Sequence, residues 1–321
     1  MKKKVCIVGV GVIGWVHLKL IQQRSDVEIA LCDIDKTKLS EYPEYPTFTD
    51  YSEMLDSWKP DIVHICTPHY LHARMVIQAL NKDIHVLSEK PLCLTEQEAE
   101  AVLTAEKASK AQLGVSFQNR YLPVTRYVKE YLKDKKVLSA FGALVWHRGK
   151  DYYAAGEWRG KKSLAGGGAL INQALHTLDL LQYFTEMPES VVSNVSCLTL
   201  SDTIEVEDSL VALFSGKVPF TLFATIGNPV YFPVEITIKT ETETLRMLPD
   251  CLFIDQKVVE FEKDERVFVK KDYGTGHERL FMDFYDCINT GRKFPLNGSE
   301  GVKAIRLMNG VYQSNGQKIT L

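Results

Sequence analysis

A short apolar run at residues 5–8 stops at Gly9-Val10-Gly11-Val12-Ile13-Gly14, after which apolar residues resume at helical spacing. Strand, glycine turn and helix in that order leave a chain few folds to choose from. Gly9 permits the tight turn, Gly11 lets the backbone come close to an anion, and Gly14 lets the helix pack closely on the strand. The free N–H groups of the helix start, around Val12 and Ile13, and the positive end of the helix dipole then face a pyrophosphate. A second apolar run, 27–31, ends at Cys32-Asp33, nineteen residues beyond Gly14. A carboxylate there accepts hydrogen bonds from ribose hydroxyls and repels a 2′-phosphate. Turn and acid together predict a dinucleotide site that takes NAD, with NADP disfavoured.

The first third of the chain alternates strand and helix. Strands are expected at 4–9, 27–33, 61–66, 84–88 and 113–118, and helices near 12–23, 51–57, 70–81 and 95–110. A weak, proline-interrupted connection covers 36–46. Thr95 followed by Glu98 reads as a capping box. This alternation implies a doubly wound parallel sheet, with ligands beyond the carboxyl ends of its strands. After about Arg120 the rhythm changes. A helix near 123–134 leads to a long strand at 137–149, then to a helix at 167–185. Strands follow at 190–200, 207–215, 218–226, 233–240, 243–248 and 251–262, and helices at 276–291 and 299–313 close the chain. The expected fold class is α/β: an N-terminal Rossmann sheet over 1–120, and over 121–321 an α/β domain with a large, mostly antiparallel open sheet. The terminal helices are free to pack back on the first domain.

Composition narrows the classes of function. With 321 residues, 45% hydrophobic and 25% charged, the chain is ordinary for a globular protein of about two domains. A net charge of −3 gives no general attraction to nucleic acid or to an anionic membrane. No segment reaches about 18 uninterrupted apolar residues, so no membrane span is expected. The opening lysines lead into a strand pattern, so a secretory leader is not expected either. Seven cysteines without a CxxC pair argue against a disulfide framework or a zinc site and for a reducing cytoplasm.

Two clusters could carry chemistry. Ser88-Glu89-Lys90-Pro91 ends a strand where ligands bind in such a sheet, and a lysine there offers a positive donor to a substrate oxygen. Gly166-Gly167-Gly168 precede a helix in which Asn172, His176 and Asp179 share one face. An imidazole titrates near neutrality, which suits removal of a proton from an alcohol as hydride leaves. The other histidines read as weaker candidates. His17, His64 and His85 are expected to be packed, His69 to approach the cofactor, and His277 to be structural. His147 and Arg148 end a strand near the cleft. Glu207-Asp208 lack the neighbours of a metal site, so no metal is expected.

The glycine-rich start, Thr67-Pro68, Glu89-Lys90-Pro91, Trp158-Arg159-Gly160 and GGGALINQALHTLDLL together resemble the glucose–fructose oxidoreductase, inositol dehydrogenase and rhizopine-catabolism (Gfo/Idh/MocA) family. The resemblance covers essentially the whole chain, including the stretch from Gly276-His277 through Tyr312-Gln313-Ser314. It implies hydride transfer between NAD and a secondary hydroxyl or carbonyl of a sugar, inositol or related polyol. It also implies a homodimer or homotetramer built through the C-terminal sheet. By position, Lys90 corresponds to the lysine that touches both nicotinamide and substrate, and His176 to the general acid/base. Asn172 stands where many members carry Asp; an amide can hold a hydroxyl but cannot take its proton. Thr67, Pro68, His72, Glu89 and Gln118 match cofactor-lining positions. Arg159 borders the substrate, with Tyr152 and Tyr153 as weaker parts of the same wall. Two other functions stay open: an NAD-retaining enzyme with net glycoside cleavage or epimerisation, and a non-catalytic dinucleotide-binding regulator.

Overall fold

Residues 5–8 are no more than 2% exposed, the burial of a strand covered on both faces. They belong to β1 (Lys3–Val8), which a computed structural model places in a parallel sheet; the structure describes residues 2–154, 156, 158–261 and 275–321. The other strands of that sheet are β2 (Val27–Cys32), β3 (Thr47–Phe48), β4 (Ile62–Ile65), β5 (His85–Ser88) and β6 (Leu113–Val115). Their order is β3-β2-β1-β4-β5-β6, with parallel pairing throughout. Val8 is level with Cys32 and with Ile65, and Ile65 with Ser88. Gly9, Asp33, Cys66 and Glu89 therefore leave the sheet along one edge.

Helices Val12–Ile21, Tyr51–Ser57, His72–Leu80 and Glu96–Ala108 fill the crossovers. The last opens with the expected capping box: the Glu98 N–H donates to Thr95 Oγ1, and Thr95 N–H to Glu98 Oε2. The 36–46 connection resolves into a short helix, Lys36–Leu39, and a turn before β3. Two residues of edge strand are too few to carry a period-two signal.

Residues as far as Phe117, with the segment ending at Val302, form one compact unit; those from Gln118, with Lys303–Leu321, form the other. In the first unit, helix Gly276–Thr290 and the turn after it cover the β6 side of the sheet. A Cβ added to Gly114 would lie 3.0 Å from the Phe284 ring, and Val115 N–H donates to the Leu296 carbonyl at 2.8 Å.

The second unit contains β7 (Val137–Val145), β8 (Ser190–Ser196), β9 (Ser209–Ser215), β10 (Phe220–Thr225), β11 (Glu235–Thr240), β12 (Thr244–Met247), β13 (Leu252–Ile254), β14 (Lys257–Val259) and β15 (Ile319–Thr320). Among the described residues they form a nine-stranded sheet of order β14-β13-β12-β11-β7-β10-β9-β8-β15. Among these strands only β7 and β10 pair in parallel, so the mostly antiparallel sheet is as expected. Helix Leu175–Thr185 covers one face, with Leu181 and Thr177 against Gly142. On the other face Phe141, Val211, Leu213 and Phe223 remain 40–52% exposed.

Two of the expected strands change markedly, and one strand is added. The strand expected over 137–149 ends at Val145, with His147 making an isolated bridge to Gly227. Within 251–262 the described residues form two short strands, because Asp255 and Gln256 take positive φ and turn the chain back. Ile319–Thr320 adds an edge strand beside β8 that sequence pattern did not announce.

Candidate active site

In the first unit the site is built at the carboxyl edge of the parallel sheet. Gly9 has φ +89°, and a Cβ on Gly14 would lie 1.9 Å from the Gly9 carbonyl oxygen, so turn and helix meet without room for side chains. Gly11 differs: a Cβ there would meet nothing within 4 Å. The fold itself does not require glycine at that position, whereas a ligand lying against the turn does. Helix Val12–Ile21 has no side-chain N-cap and no acid in its first turn, which leaves its positive end suited to an anion. Asp33 Oδ2 accepts the Val10 N–H at 2.7 Å, and Oδ1 accepts that of Asp35 at 2.9 Å. The carboxylate is thus fixed beside the turn. These groups fit a dinucleotide.

The loops after β4 and β5 share this edge. His72 is buried and places Nδ1 2.7 Å from the Pro91 carbonyl and Nε2 2.7 Å from the Thr67 carbonyl. It ties Thr67-Pro68 to Glu89-Lys90-Pro91 through the main chain. Burial lowers its proton affinity, against the pull of both carbonyls. Glu89 also points inward, its Oε1 lying 3.1 Å from His17 Nε2 and 3.8 Å from His277 Nε2. Burial alone would raise the Glu89 carboxyl, yet the hydrogen bond from His17, with His17 and His277 as neighbours, holds it well below the usual range. Burial pushes Lys90 down to about 8, with Glu89 opposing. His69 is buried in the short turn His69–Leu71.

In the second unit the catalytic candidates lie on the helix that follows the three glycines. The helix starts with a wider π-helical turn, Leu170–Ala174, and becomes α-helical over Leu175–Thr185. Glu207 anchors its start: Oε2 accepts the Gly168 N–H and Oε1 the Leu170 N–H, both at 2.9 Å. The Tyr312 hydroxyl donates to Glu207 Oε1 at 3.0 Å. A Cβ on Gly168 would lie 1.9 Å from the Glu207 carbonyl oxygen, so this approach demands glycine.

His176 and Asp179 both face the 3-10 turn Gln118–Tyr121. Gln118 Nε2 lies 3.4 Å from His176 Nε2, a long contact in which an amide nitrogen can only donate. It presents His176 Nε2 as an acceptor, the state that receives a proton. Asp179 instead grips buried Arg120 in a fork, at 2.8 and 2.6 Å. It is therefore a structural ion pair, separate from the polar stripe expected of it. Asn172 sits in the π-helical turn, its Nδ2 donating to the Gly168 carbonyl at 3.1 Å. The Arg159 guanidinium lies over the Tyr152 ring, 4.7 Å from its centroid, and the Tyr152 hydroxyl accepts from Gln173 at 3.1 Å.

Sequence reading missed Glu207 and Tyr312 as the support of this helix. Their only advance signal was an acid next to a strand. Asp208 likewise serves structure, accepting the N–H groups of Leu198, Thr199 and Leu200.

Comparison with known proteins agrees with this architecture. Residues 3–117 match the oxidoreductase family, NAD-binding Rossmann fold, and residues 125–245 match the Gfo/Idh/MocA C-terminal domain. The chain is 32% identical over 138 residues to levoglucosan dehydrogenase of Pseudarthrobacter phenanthrenivorans, which covers 42% of this chain and 35% of that protein. It is 30% identical over 241 residues to D-glucoside 3-dehydrogenase of Escherichia coli, which covers 64% of this chain and 65% of that enzyme. The matches thus span less than two thirds of either relative. The crystal structure of the WlbA dehydrogenase from Bordetella pertussis, in complex with NADH and UDP-GlcNAcA, is similar over 100% of this chain and 98% of that one. Its TM-score is 0.88 at 26% identity. With characteristic sequence matched in both units and the glycine turn closed by Asp33, the chain belongs to the Gfo/Idh/MocA family of oxidoreductases.

Proposed function

We propose that this oxidoreductase is an NAD-dependent dehydrogenase for a secondary hydroxyl, or the matching carbonyl, on a pyranose sugar, inositol or related polyol. The observation that carries the reading is the single sheet edge from which the glycine turn, Asp33, Thr67-Pro68 and Glu89-Lys90-Pro91 all emerge. NAD, when bound, supplies the hydride acceptor. Residues 9–14 hold its pyrophosphate and Asp33 its ribose hydroxyls, against NADP. Lys90, cationic at neutral pH, donates to the substrate oxygen as charge develops there. His176 receives the hydroxyl proton at Nε2, while Asn172 and Arg159 orient the substrate. The glucoside and levoglucosan dehydrogenases among its relatives support a sugar ring as substrate.

The exposed Phe141, Val211, Leu213 and Phe223 support assembly of two or four copies through the open sheet. All seven cysteines are unpaired, which supports a reducing cytoplasm. No helix among the described residues is long and apolar enough to cross a membrane.

The test is turnover of NAD with a panel of glucosides, anhydrosugars, free aldoses and inositols, followed by the absorbance of reduced nicotinamide. Reduction with one class identifies it. Tight NAD binding without turnover on the whole panel would replace the dehydrogenase by a dinucleotide-binding regulator.

A further inference from the structure

Beneath the glycine turn, the first unit contains a file of polar side chains that the proposed chemistry does not use. Glu89 Oε1 lies 3.1 Å from His17 Nε2, His17 Nδ1 lies 2.8 Å from His64 Nδ1, and His64 Nε2 lies 3.0 Å from the Tyr285 hydroxyl. His17, His64 and Tyr285 are each 0% exposed, and Glu89 6%. Members of the file are 47, 72 and 221 residues apart in sequence. Phe281 packs edge-on against both imidazoles, 4.5 Å from His17 and 5.2 Å from His64.

Counting protons gives the file a direction. An ionised Glu89 only accepts, so His17 Nε2 carries hydrogen. If His17 is neutral, its Nδ1 accepts, and His64 Nδ1 must donate. His64 Nε2 is then an acceptor, and the Tyr285 hydroxyl donates to it. The reverse order makes His64 donate to Tyr285. The hydroxyl proton would then need an acceptor of its own, and Arg24, stacked 4.5 Å from the Tyr285 ring centroid, is a donor. Leaving a buried hydroxyl proton unbonded costs about 1–3 kcal/mol.

We propose that Tyr285, His64, His17 and Glu89 form a one-way hydrogen-bond chain with neutral imidazoles and a single charge, on Glu89, and that this fixed carboxylate keeps Lys90 cationic. His17 and His64 are positioning residues: they act on Lys90 only through Glu89. The effect on catalysis rests on the assignment of Lys90 to the reaction; the chain itself does not. The titratable groups facing Glu89 are His17 from helix Val12–Ile21, His64 and Cys66 from the β4 side, His72 and His277 from their helices, and Lys90 beside it, with the Ser116 hydroxyl as a further group that stabilises its carboxylate. Burial lowers His64 well below its ordinary value and His277 to about 4, so neither competes with Lys90 as the neutral-pH cation. One added proton reverses the chain: it enters at the Tyr285 oxygen, the hydroxyl proton moves to His64 Nε2, and the His64 Nδ1 proton moves to His17.

The test is nitrogen NMR on the full chain labelled at histidine and lysine, with His17→Gln and His64→Gln used only to assign signals. At neutral pH the expected pattern is an Nε2–H tautomer for His17 and an Nδ1–H tautomer for His64. On acidification, His17 protonation and the His64 tautomer exchange share one midpoint. Glu89→Gln lowers the Lys90 titration midpoint by about one unit or more, as loss of a neighbouring opposite charge does. An imidazolium at His17 at neutral pH, the opposite His64 tautomer, or an unmoved Lys90 midpoint would overturn the proposal. So would Zn²⁺ at micromolar level shifting His17 and His277 together, since Glu89 would then belong to a metal site. None of these readouts needs turnover, so a wrong substrate class leaves the result intact.

Discussion

In the parallel sheet every residue of β4 is buried, histidine included, while β9 of the open sheet alternates, with Leu210, Ala212 and Phe214 in and Val211, Leu213 and Ser215 out. Crossover helices force the first pattern by covering both faces. A sheet so enclosed can offer chemistry only at its strand ends, and Asp33, Thr67 and Lys90 all stand there. Among the described residues of its unit, the open sheet has helix Leu175–Thr185 on one face. On its second face Phe141, Val211, Leu213 and Phe223 stay exposed among the described residues, and the proposed assembly rests on that apolar surface.

The strongest challenge to this division of roles is Lys90→Met at the enclosed sheet's edge. Turnover should fall about 10²–10⁴-fold, the usual worth of such a group, while NAD binding measured by calorimetry is kept. Near-normal turnover would move the chemistry elsewhere. Next in size is a paired core test. Leu87→Ala inside β5 should cost about 2–5 kcal/mol in urea unfolding, and Leu213→Ala on the open face under about 1 kcal/mol. Equal losses would mean that the two faces are equally covered.

The pH dependence sharpens the contrast at the edge. Lys90 loses its proton as pH rises through about 8, so activity that needs the ammonium is full below that value and declines above it. One unit higher the rate should be down about tenfold. Asp33→Ser should narrow the preference for NAD over NADP by several-fold, read from the ratio of kcat/KM values. The smallest effect on stability belongs to Phe141→Glu with Phe223→Glu. These exposed positions should change monomer stability by roughly 0.5 kcal/mol or less. Sedimentation should nevertheless show a fall to monomer mass; an unchanged mass would assign assembly to another surface.

Sequence pattern revealed what is local. The glycine turn, Asp33 and the Thr95–Glu98 capping box depend on spacings of a few to some twenty residues, and each appears where expected. Long amphipathic stretches such as 72–80 and 175–185 were equally visible. β3 and β15 were not, because two residues cannot show alternation. The π-helical turn at Leu170–Ala174 escaped because side-chain periodicity does not record the width of a helical turn. Asp179 looked like a site residue because its partner, Arg120, lies 59 positions away. The His17–His64–Tyr285 file was hidden for the same reason: each residue alone reads as a core side chain, and only folding brings them into line.

One imidazole couples two segments that the chain order keeps separate. With its nitrogens against the carbonyls of Thr67 and Pro91, His72 makes the loops after β4 and β5 a single mechanical body. Neither loop can lift without disturbing the other. A ligand seated against Thr67-Pro68 would therefore bear on the segment that carries Lys90 through one buried imidazole.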